Sequence, residues 1–218
     1  MCYSAKYLLE KALKRAIYWN KQRDIDFYRE KLREYEEKYQ VSGFAHPKVV
    51  IYTNEQPYEP ILSEWGLIPH WIKDSKGAQD IQSKTINARG ESIFEKPAFR
   101  DSAKEKRCIV PVAGFYEHHY YKGKKYPFFI SRKDDGPLNL AGLWSEWVNN
   151  DTGEITNSFT IVTTKANPLM AKIHNNPKLP ESRMPIILPD GKEDEWLKPI
   201  NKNDLQEFLK PFSDNELK

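Results

Sequence analysis

The fold is decided by residues 107–131, which read RCIVPVAGFYEHHYYKGKKYPFFIS. β-Branched and aromatic residues dominate three short segments of this stretch, at Cys108–Val112, Phe115–Tyr121 and Pro127–Ser131. Segments of that composition favour β-strands, and the glycine and lysines at 123–125 are typical of a hairpin turn. The stretch therefore predicts three strands in succession with no helix between them.

Similar strand signals lie on both sides of this stretch. They occur at Pro47–Thr53, Leu138–Trp147, Phe159–Thr164 and Pro185–Leu188, and residues 149–153 are typical of a second turn. Strands that follow one another without intervening helices indicate an antiparallel sheet or a barrel. We therefore predict an α+β fold, in which a mostly antiparallel β core forms a partly closed, barrel-like sheet with flanking helices.

Helical patterns lie mainly near the two ends of the chain. In residues 6–40 apolar side chains recur at three-to-four spacing, which predicts one long or two short amphipathic helices. We also expect a short helix within Ala166–Ile173 and a C-terminal helix at about residues 201–210. Since no repeat, low-complexity segment or linker interrupts the chain, we expect residues 1–218 to form a single domain.

Composition excludes several classes of protein. The 218 residues carry a net charge of +3 and include only two cysteines, which cannot form a disulfide framework. No apolar run has the length of a signal peptide or of a membrane span, which needs about 20 residues. We expect a cytoplasmic protein that does not enter membranes.

The distribution of charge suggests a partner. Residues 89–133 contain eleven Lys and Arg but five Asp and Glu, and the chain has six Trp, twelve Tyr and ten Phe. Cations interleaved with aromatic rings suit single-stranded nucleic acid, because phosphates attract the cations and bases stack on the rings. The alternative is that the charges form a solvated surface while the rings fill the core.

Cys2 offers an unusual chemistry. Cysteine is small enough to allow removal of Met1, which would leave an α-amine and a thiol two carbons apart. The α-amine titrates near pH ~7.7–8.0, far below lysine at ~10.4, so much of it is neutral and nucleophilic at cellular pH. An amine and a thiol so placed can add to one aldehyde and close a thiazolidine ring.

Other side chains give no sign of a metal or nucleotide site. His118 and His119 are adjacent on a predicted strand, so their side chains point to opposite faces and cannot chelate one ion. The sequence has no Cys-x-x-Cys or His-Glu-x-x-His motif and no glycine cluster that would cradle a phosphate. Cys108 lies in an apolar run and is expected to be a buried core thiol. We expect neither a metal nor a cofactor.

Four short blocks carry a family resemblance. They are Met1-Cys2, the pair WGLIPHW at 65–71 and INARGE at 86–91, RCIVPVAGFYE at 107–117, and Ile173-His174 with SRMPIIL at 182–188. In this order the chain resembles the SOS-response-associated peptidase (SRAP) family, the abasic-site sensors of bacteria and eukaryotes. The resemblance covers the chain from Cys2 to about Leu188 and implies a mostly antiparallel β core.

The resemblance also implies roles for four catalytic residues. Cys2 would attack the ring-opened aldehyde of an abasic site in single-stranded DNA and form a stable crosslink. Asn87 would hydrogen-bond the sugar or orient the N-terminus. Glu117 would move protons as the amine attacks, and His174 would act on the sugar hydroxyl.

A second set of residues would contact DNA. Arg89 matches the family arginine that holds a phosphate, a task suited to a bidentate guanidinium. Lys6 would replace a family arginine near the N-terminus, where this chain has Ser4. Trp71 and Tyr116 are candidates for stacking on bases, and Arg183 for reaching the site. Trp65 and Phe115 are expected in the core.

Two other functions compete with this interpretation. One is a cysteine peptidase or autopeptidase, with Cys2 as nucleophile and Glu117 and His174 as helpers. The other is a non-catalytic module that binds single-stranded DNA through residues 89–133. Each site residue also has a structural alternative, such as a buried ion pair for Glu117. The sequence identifies no replication-fork partner.

Overall fold

The computed structural model describes residue 17, residues 22–34 and residues 42–218. Its helices are α1 (Gln22–Glu34), α2 (Ser75–Gln82), α3 (Arg100–Glu105), α4 (Pro168–Ile173), α5 (Glu193–Leu197) and α6 (Lys202–Phe208). Its strands are β1 (Lys48–Thr53), β2 (Ile61–Trp65), β3 (Asn87–Arg89), β4 (Arg107–Val112), β5 (Phe115–Tyr121), β6 (Lys124–Ile130), β7 (Leu138–Val148), β8 (Ile155–Lys165), β9 (Arg183–Pro185) and β10 (Ile187–Leu188).

Five strands close into a barrel. The pairings run β7–β4–β1–β2–β8, and β8 pairs back with β7 to complete the circle. All pairings are antiparallel except those of β8 with β2 and with β3. β3 and β9 extend the sheet beside β8, and β10 extends it beside β7. The predicted α+β fold with a barrel-like, mostly antiparallel core is confirmed.

Gly142 lies where β4, β7 and β8 meet. It pairs with Cys108 on one side and with Ile161 on the other. A Cβ at this position would lie 2.7 Å from the Cys108 sulfur and 3.0 Å from the Thr160 carbonyl oxygen. Those distances are below van der Waals contact, so the strands approach this closely only because the residue is glycine.

The barrel strands are buried on both faces, which explains their apolar character. One cluster fills the interior with Ile51, Trp65 and Phe159, and a second lies outside the barrel beneath the C-terminal helices. Trp65 stacks on Phe159 at 6.0 Å and donates its indole N–H to the Ile86 carbonyl at 2.9 Å. Trp65, Phe115 and Cys108 are all buried, as predicted, and burial raises the pKa of the Cys108 thiol.

The β5–β6 hairpin is a separate two-stranded sheet. β5 has the predicted bounds, whereas β6 begins at Lys124, three residues before the predicted start. Lys122 and Gly123 form the turn with φ of 47° and 77°, the left-handed conformation that a two-residue hairpin loop requires. Because the turn is this tight, Lys124 and Lys125 belong to the strand rather than to the loop.

Several short elements were not predicted. They are β2, β3, α2, α3 and α5, each eight residues or fewer. A segment of that length shows too little of its repeat to be distinguished by periodicity. β8 also begins four residues before the predicted segment. The predicted C-terminal helix corresponds to α6, which starts with a capping box formed by Asn201 and Asp204.

The N-terminal prediction is covered only in part. α1 lies within the predicted helical region 6–40. Apart from α1 and the helical residue Ile17, that region lies outside the described residues. α1 buries Ile25 and Tyr28, and the Tyr28 hydroxyl hydrogen-bonds that of Tyr52 on β1. None of the described helices combines the length and apolarity that a bilayer crossing demands.

Candidate active site

Glu117 is a buried carboxylate at the base of the hairpin. β5 leaves the core at Phe115, and strand alternation places Glu117 on the same face two residues later. The residue is 2% exposed. Its Oε1 accepts a hydrogen bond from the His118 amide at 2.8 Å, whereas Oε2 has no hydrogen-bond partner among the described residues. A buried carboxylate oxygen without a partner is costly, so this atom is suited to meet a ligand.

His174 lies directly beside this carboxylate. α4 starts at the Asn167 cap, whose side chain accepts from the Met170 amide at 2.8 Å, and it ends at Ile173. His174, 4% exposed, follows with its Nδ1 3.8 Å from Glu117 Oε2. That separation is longer than a hydrogen bond but close enough for a proton to pass after a small movement.

Backbone groups fix the imidazole ring. The Nδ1 atom of His174 lies 2.9 Å from the Arg183 carbonyl oxygen and 3.1 Å from the Arg183 amide. The Ser182 hydroxyl donates to the His174 carbonyl at 2.6 Å. The start of β9 therefore sets the position of the ring next to Glu117.

The Arg183 side chain is held by protein groups. Its guanidinium donates to both carboxylate oxygens of Glu91, at 3.1 and 2.7 Å, to Glu181 at 2.8 Å and to the Thr163 carbonyl at 2.8 Å. Burial by itself would raise the pKa of Glu91. The hydrogen bonds and charge of Arg183, with a backbone hydrogen bond and the charge of Arg89, together outweigh burial and lower that pKa. With its side chain only 4% exposed, Arg183 has the environment of a positioning residue, and its contact with DNA stays a prediction.

β3 carries the predicted Asn87 and Arg89. It pairs in parallel with β8, so Asn87 lies opposite Ile161 and Arg89 opposite Thr163. Ala88 between them is buried in the cluster outside the barrel, beneath the C-terminal helices, whereas the Arg89 side chain is exposed. The Asn87 Oδ1 is buried and has no hydrogen-bond partner among the described residues. It is a second unpartnered acceptor among the predicted site residues.

The structure joins Glu117, His174 and Arg183 into one chain of contacts. Glu117 and His174 meet directly, and Arg183 holds His174 through its backbone. Arg183 in turn reaches Glu91 and Thr163, which adjoin β3. The structure shows no direct hydrogen bond from Asn87 to Glu117 or His174 within the described chain.

Other predicted residues lie apart from this group. Trp71 is exposed, as a stacking residue must be. Tyr116 occupies the face of β5 opposite to Glu117 and packs on Phe129, with ring centroids 5.0 Å apart. Cys2 and Lys6 lie outside the described residues. No group of three His, Cys, Asp or Glu side chains able to hold a metal occurs in the described ranges.

Sequence reasoning missed the groups that position the site. Glu91 pairs with Arg183, which is distant in sequence, while the nearer Arg89 stays exposed. Asn175 donates to the Tyr120 carbonyl at 3.0 Å and accepts from the Tyr120 amide at 2.6 Å, which fastens the residue after His174 to β5. The only available signal was the position of these residues next to predicted site residues.

Comparison with known proteins identifies similar chains. The family described as SOS response associated peptidase (SRAP) matches residues 1–218. The abasic site processing protein YoqW of Bacillus subtilis is 42% identical over 156 residues, which are 70% of this chain and 64% of YoqW. The abasic site processing protein HMCES of Xenopus tropicalis is 33% identical over 147 residues, 59% of this chain and 41% of HMCES. The matches thus span less than two thirds of these relatives.

Two solved structures share the fold. A protein from Bacteroides thetaiotaomicron superimposes with a TM-score of 0.78 at 38% identity, covering 84% of this chain and 77% of that one. A protein from Bordetella bronchiseptica gives a TM-score of 0.72 at 30% identity, covering 84% of this chain and 86% of that one.

Proposed function

We propose that this chain, which belongs to the SOS response associated peptidase (SRAP) family, processes abasic sites in DNA. Its relatives YoqW and HMCES are named abasic site processing proteins. The observation that carries this proposal is the buried pair of Glu117 and His174. The pair has a carboxylate oxygen without a partner 3.8 Å from an imidazole nitrogen. Such a pair is suited to move protons during addition to a carbonyl.

The proposed reaction is a covalent capture by Cys2 after removal of Met1. The α-amine adds to the aldehyde carbon of the ring-opened abasic sugar and gives a carbinolamine, which loses one water to give an imine. The thiol sulfur then adds to the imine carbon, and its proton ends on nitrogen, which closes a thiazolidine. The reaction needs no oxidant, reductant or metal.

In this proposal each site residue has a task along that path. Glu117 takes a proton from the amine nitrogen as it adds to the aldehyde and returns one to the departing hydroxyl. His174 donates to or accepts from the sugar hydroxyl as the ring opens. The unpartnered Oδ1 of Asn87 accepts a hydrogen bond from the N-terminal amine or from the sugar, which would satisfy this buried oxygen.

The proposed substrate is an abasic site in single-stranded DNA. A sugar within a duplex cannot approach a buried carboxylate without leaving the helix, and extrusion costs least where the strand is unpaired. Arg89, exposed at the end of β3, would hold a phosphate, with Trp71 stacking on a base and Lys6 adding charge near the N-terminus. Arg183 would keep His174 in place. A role in the DNA-damage (SOS) response fits this substrate.

A peptidase is the second candidate, favoured by the family description. The same Glu117 and His174 could assist a Cys2 thiolate in attack on a peptide carbonyl. Self-removal of Met1 would be compatible with DNA capture. Cleavage of other peptides would be a separate activity, and it predicts turnover in the absence of DNA.

The direct test uses purified protein that mass spectrometry has shown to lack Met1. It is incubated with a single-stranded oligonucleotide that bears one abasic site and is then run on a denaturing gel beside Cys2→Ala. A heat-stable shifted band that requires Cys2 is expected. Absence of the band from Met1-free protein that still binds the DNA would refute covalent capture and leave a peptidase or a binding module.

A further inference from the structure

One face of the β5–β6 hairpin carries a row of exposed rings that leads away from Glu117. The register pairs Glu117 with Phe128, His119 with Tyr126, and Tyr121 with Lys124, so these six side chains share one face. Phe128, Tyr126 and Tyr121 are 45%, 44% and 54% exposed. Soluble proteins rarely leave several large rings exposed side by side, so this face is a candidate binding surface.

The row is fixed relative to the candidate active site. Asn175, the residue after His174, makes two hydrogen bonds to the backbone of Tyr120. The Nδ1 of His119 lies 2.9 Å from the Lys172 carbonyl of α4, and its ring meets that of Phe128 edge-on at 6.0 Å. The row of rings therefore has a fixed distance and orientation relative to a ligand bound at Glu117 and His174.

The hairpin tip is positively charged. Lys122, Lys124 and Lys125 lie there, and residues 118–133 contain no Asp or Glu. The Lys122 ammonium lies 5.2 Å from the ring centre of Tyr121, and that of Lys125 lies 5.5 Å from the ring centre of Tyr120. None of the three forms an ion pair with a carboxylate of the described chain. The surface is thus complementary to an anionic ligand.

We propose that Phe128, Tyr126 and Tyr121 form a stacking platform for the nucleotides of single-stranded DNA that flank the lesion. Lys124 on the same face and Lys122 in the turn would meet the phosphates, whereas Lys125 lies on the opposite face. The proposal rests on the proposed function only for the identity of the lesion. Rings on one face of a strand repeat every two residues, about 6.7 Å, which is roughly twice the 3.4 Å rise per nucleotide in a duplex. An extended strand fits this spacing, whereas duplex bases, already stacked on each other, offer no free faces.

The test measures non-covalent binding, so that it does not depend on the reaction. In full-length Cys2→Ala protein, the affinity for an unmodified, fluorescently labelled single-stranded oligonucleotide is measured by anisotropy. We expect Tyr126→Ala and Phe128→Ala each to weaken binding about tenfold, in line with the effect of removing one stacked base. Tyr126→Phe, which keeps the ring, is expected to stay within about twofold.

Two controls separate the platform from general effects. Tyr58→Ala removes a ring that is 71% exposed on the loop between β1 and β2 and should leave affinity unchanged. Thermal unfolding of each variant checks the fold. If Tyr126→Ala and Phe128→Ala bind like Tyr58→Ala, the platform is refuted. A lower melting temperature with unchanged DNA affinity would also refute it, because the face would then pack on protein.

The test of the ring platform can be distinguished from the test of covalent capture by Cys2. Crosslinking to abasic DNA is measured with Cys2 intact at saturating DNA. Crosslinking without any effect of the ring variants on affinity would refute the platform alone. Ring-dependent binding without crosslinking would support the platform and refute covalent capture.

Discussion

The barrel and the hairpin use the same types of residue for opposite purposes. In the barrel, aromatic and β-branched side chains are buried on both faces of the strands, as Trp65 and Phe159 are. In the hairpin, the same residue types face solvent along β6, and only its last residue, Ile130, is buried. A strand composition rich in rings therefore predicts a strand, but it does not tell whether the rings pack or bind.

The hairpin persists although a two-stranded sheet alone is marginal in water. Its base is continuous with the core through Phe115 and Ile130. The Ser131 backbone exchanges hydrogen bonds of 3.0 and 2.9 Å with Lys218 at the C-terminus. Asn175 holds its outer edge from the side of His174. Because these contacts hold the hairpin in place, its exposed rings are not needed for folding and can bind a ligand.

The largest contrast should appear in stability. Phe159→Ala would leave a cavity in the barrel interior and lower the free energy of unfolding by about 3–5 kcal/mol. Phe128→Ala, on the exposed face, should change it by about 0.5 kcal/mol or less. Urea unfolding of both variants makes the comparison. Equal losses would contradict the division between packing rings and exposed rings.

The next effect concerns the reaction. Glu117→Gln keeps the shape of the side chain but removes its ability to move protons, so crosslinking should slow by about 100-fold or more. Rates of adduct formation are measured on denaturing gels, with Glu146→Gln, which changes an exposed side chain of β7, as the matched control. An undiminished rate with Glu117→Gln would show that the carboxylate is structural.

A smaller effect is expected where the hairpin joins the site. Asn175→Ala removes two hydrogen bonds to the Tyr120 backbone and should cost about 1–2 kcal/mol locally. Hydrogen exchange at the Tyr120 amide should accelerate, while amides in the barrel strands keep their protection. Asn203→Ala on α6 is the control. Uniform acceleration throughout the protein would contradict a local anchor.

The smallest effect is a pH dependence. Arg183 lowers the pKa of Glu91, so the ionised pair stabilises the fold fully above the ordinary carboxyl pKa of about 4.3. This stabilisation is lost as the pH falls through the lowered pKa of Glu91 and the carboxylate is protonated. The wild type should therefore lose more stability than Glu91→Gln as the pH is lowered from about 5 to 3. Thermal unfolding at a series of pH values measures this. Parallel curves for the two proteins would contradict it.

The fold could be predicted where strands are long or follow each other closely. β5 was predicted to the residue because a two-residue turn limits it at one end and Gly114 precedes it at the other. β3 was not predicted, because three residues that pair in parallel with β8 leave no local pattern. Its position depends on a partner more than 70 residues away in the chain.

Sequence analysis anticipated that two residues of the candidate site act together, but it did not anticipate the groups that hold them in position. Glu117 and His174 were expected together, and the structure brings them within 3.8 Å. The pairing of Glu91 with Arg183 could not be foreseen, because Arg89 offers an equally plausible partner nearer in sequence. The exposure of Tyr126 and Phe128 was also hidden, since composition does not distinguish a core ring from a binding one.

The most direct test of covalent capture is the mass of the adduct. Met1-free protein is reacted with abasic single-stranded DNA, and the product is measured intact and then mapped after digestion. Covalent capture gives a product with the sum of the two masses less one water, and it leaves the DNA-derived sugar on the N-terminal peptide that begins at Cys2. An adduct on a lysine, or no adduct despite DNA binding, would rule out capture by the N-terminal amine and thiol of Cys2.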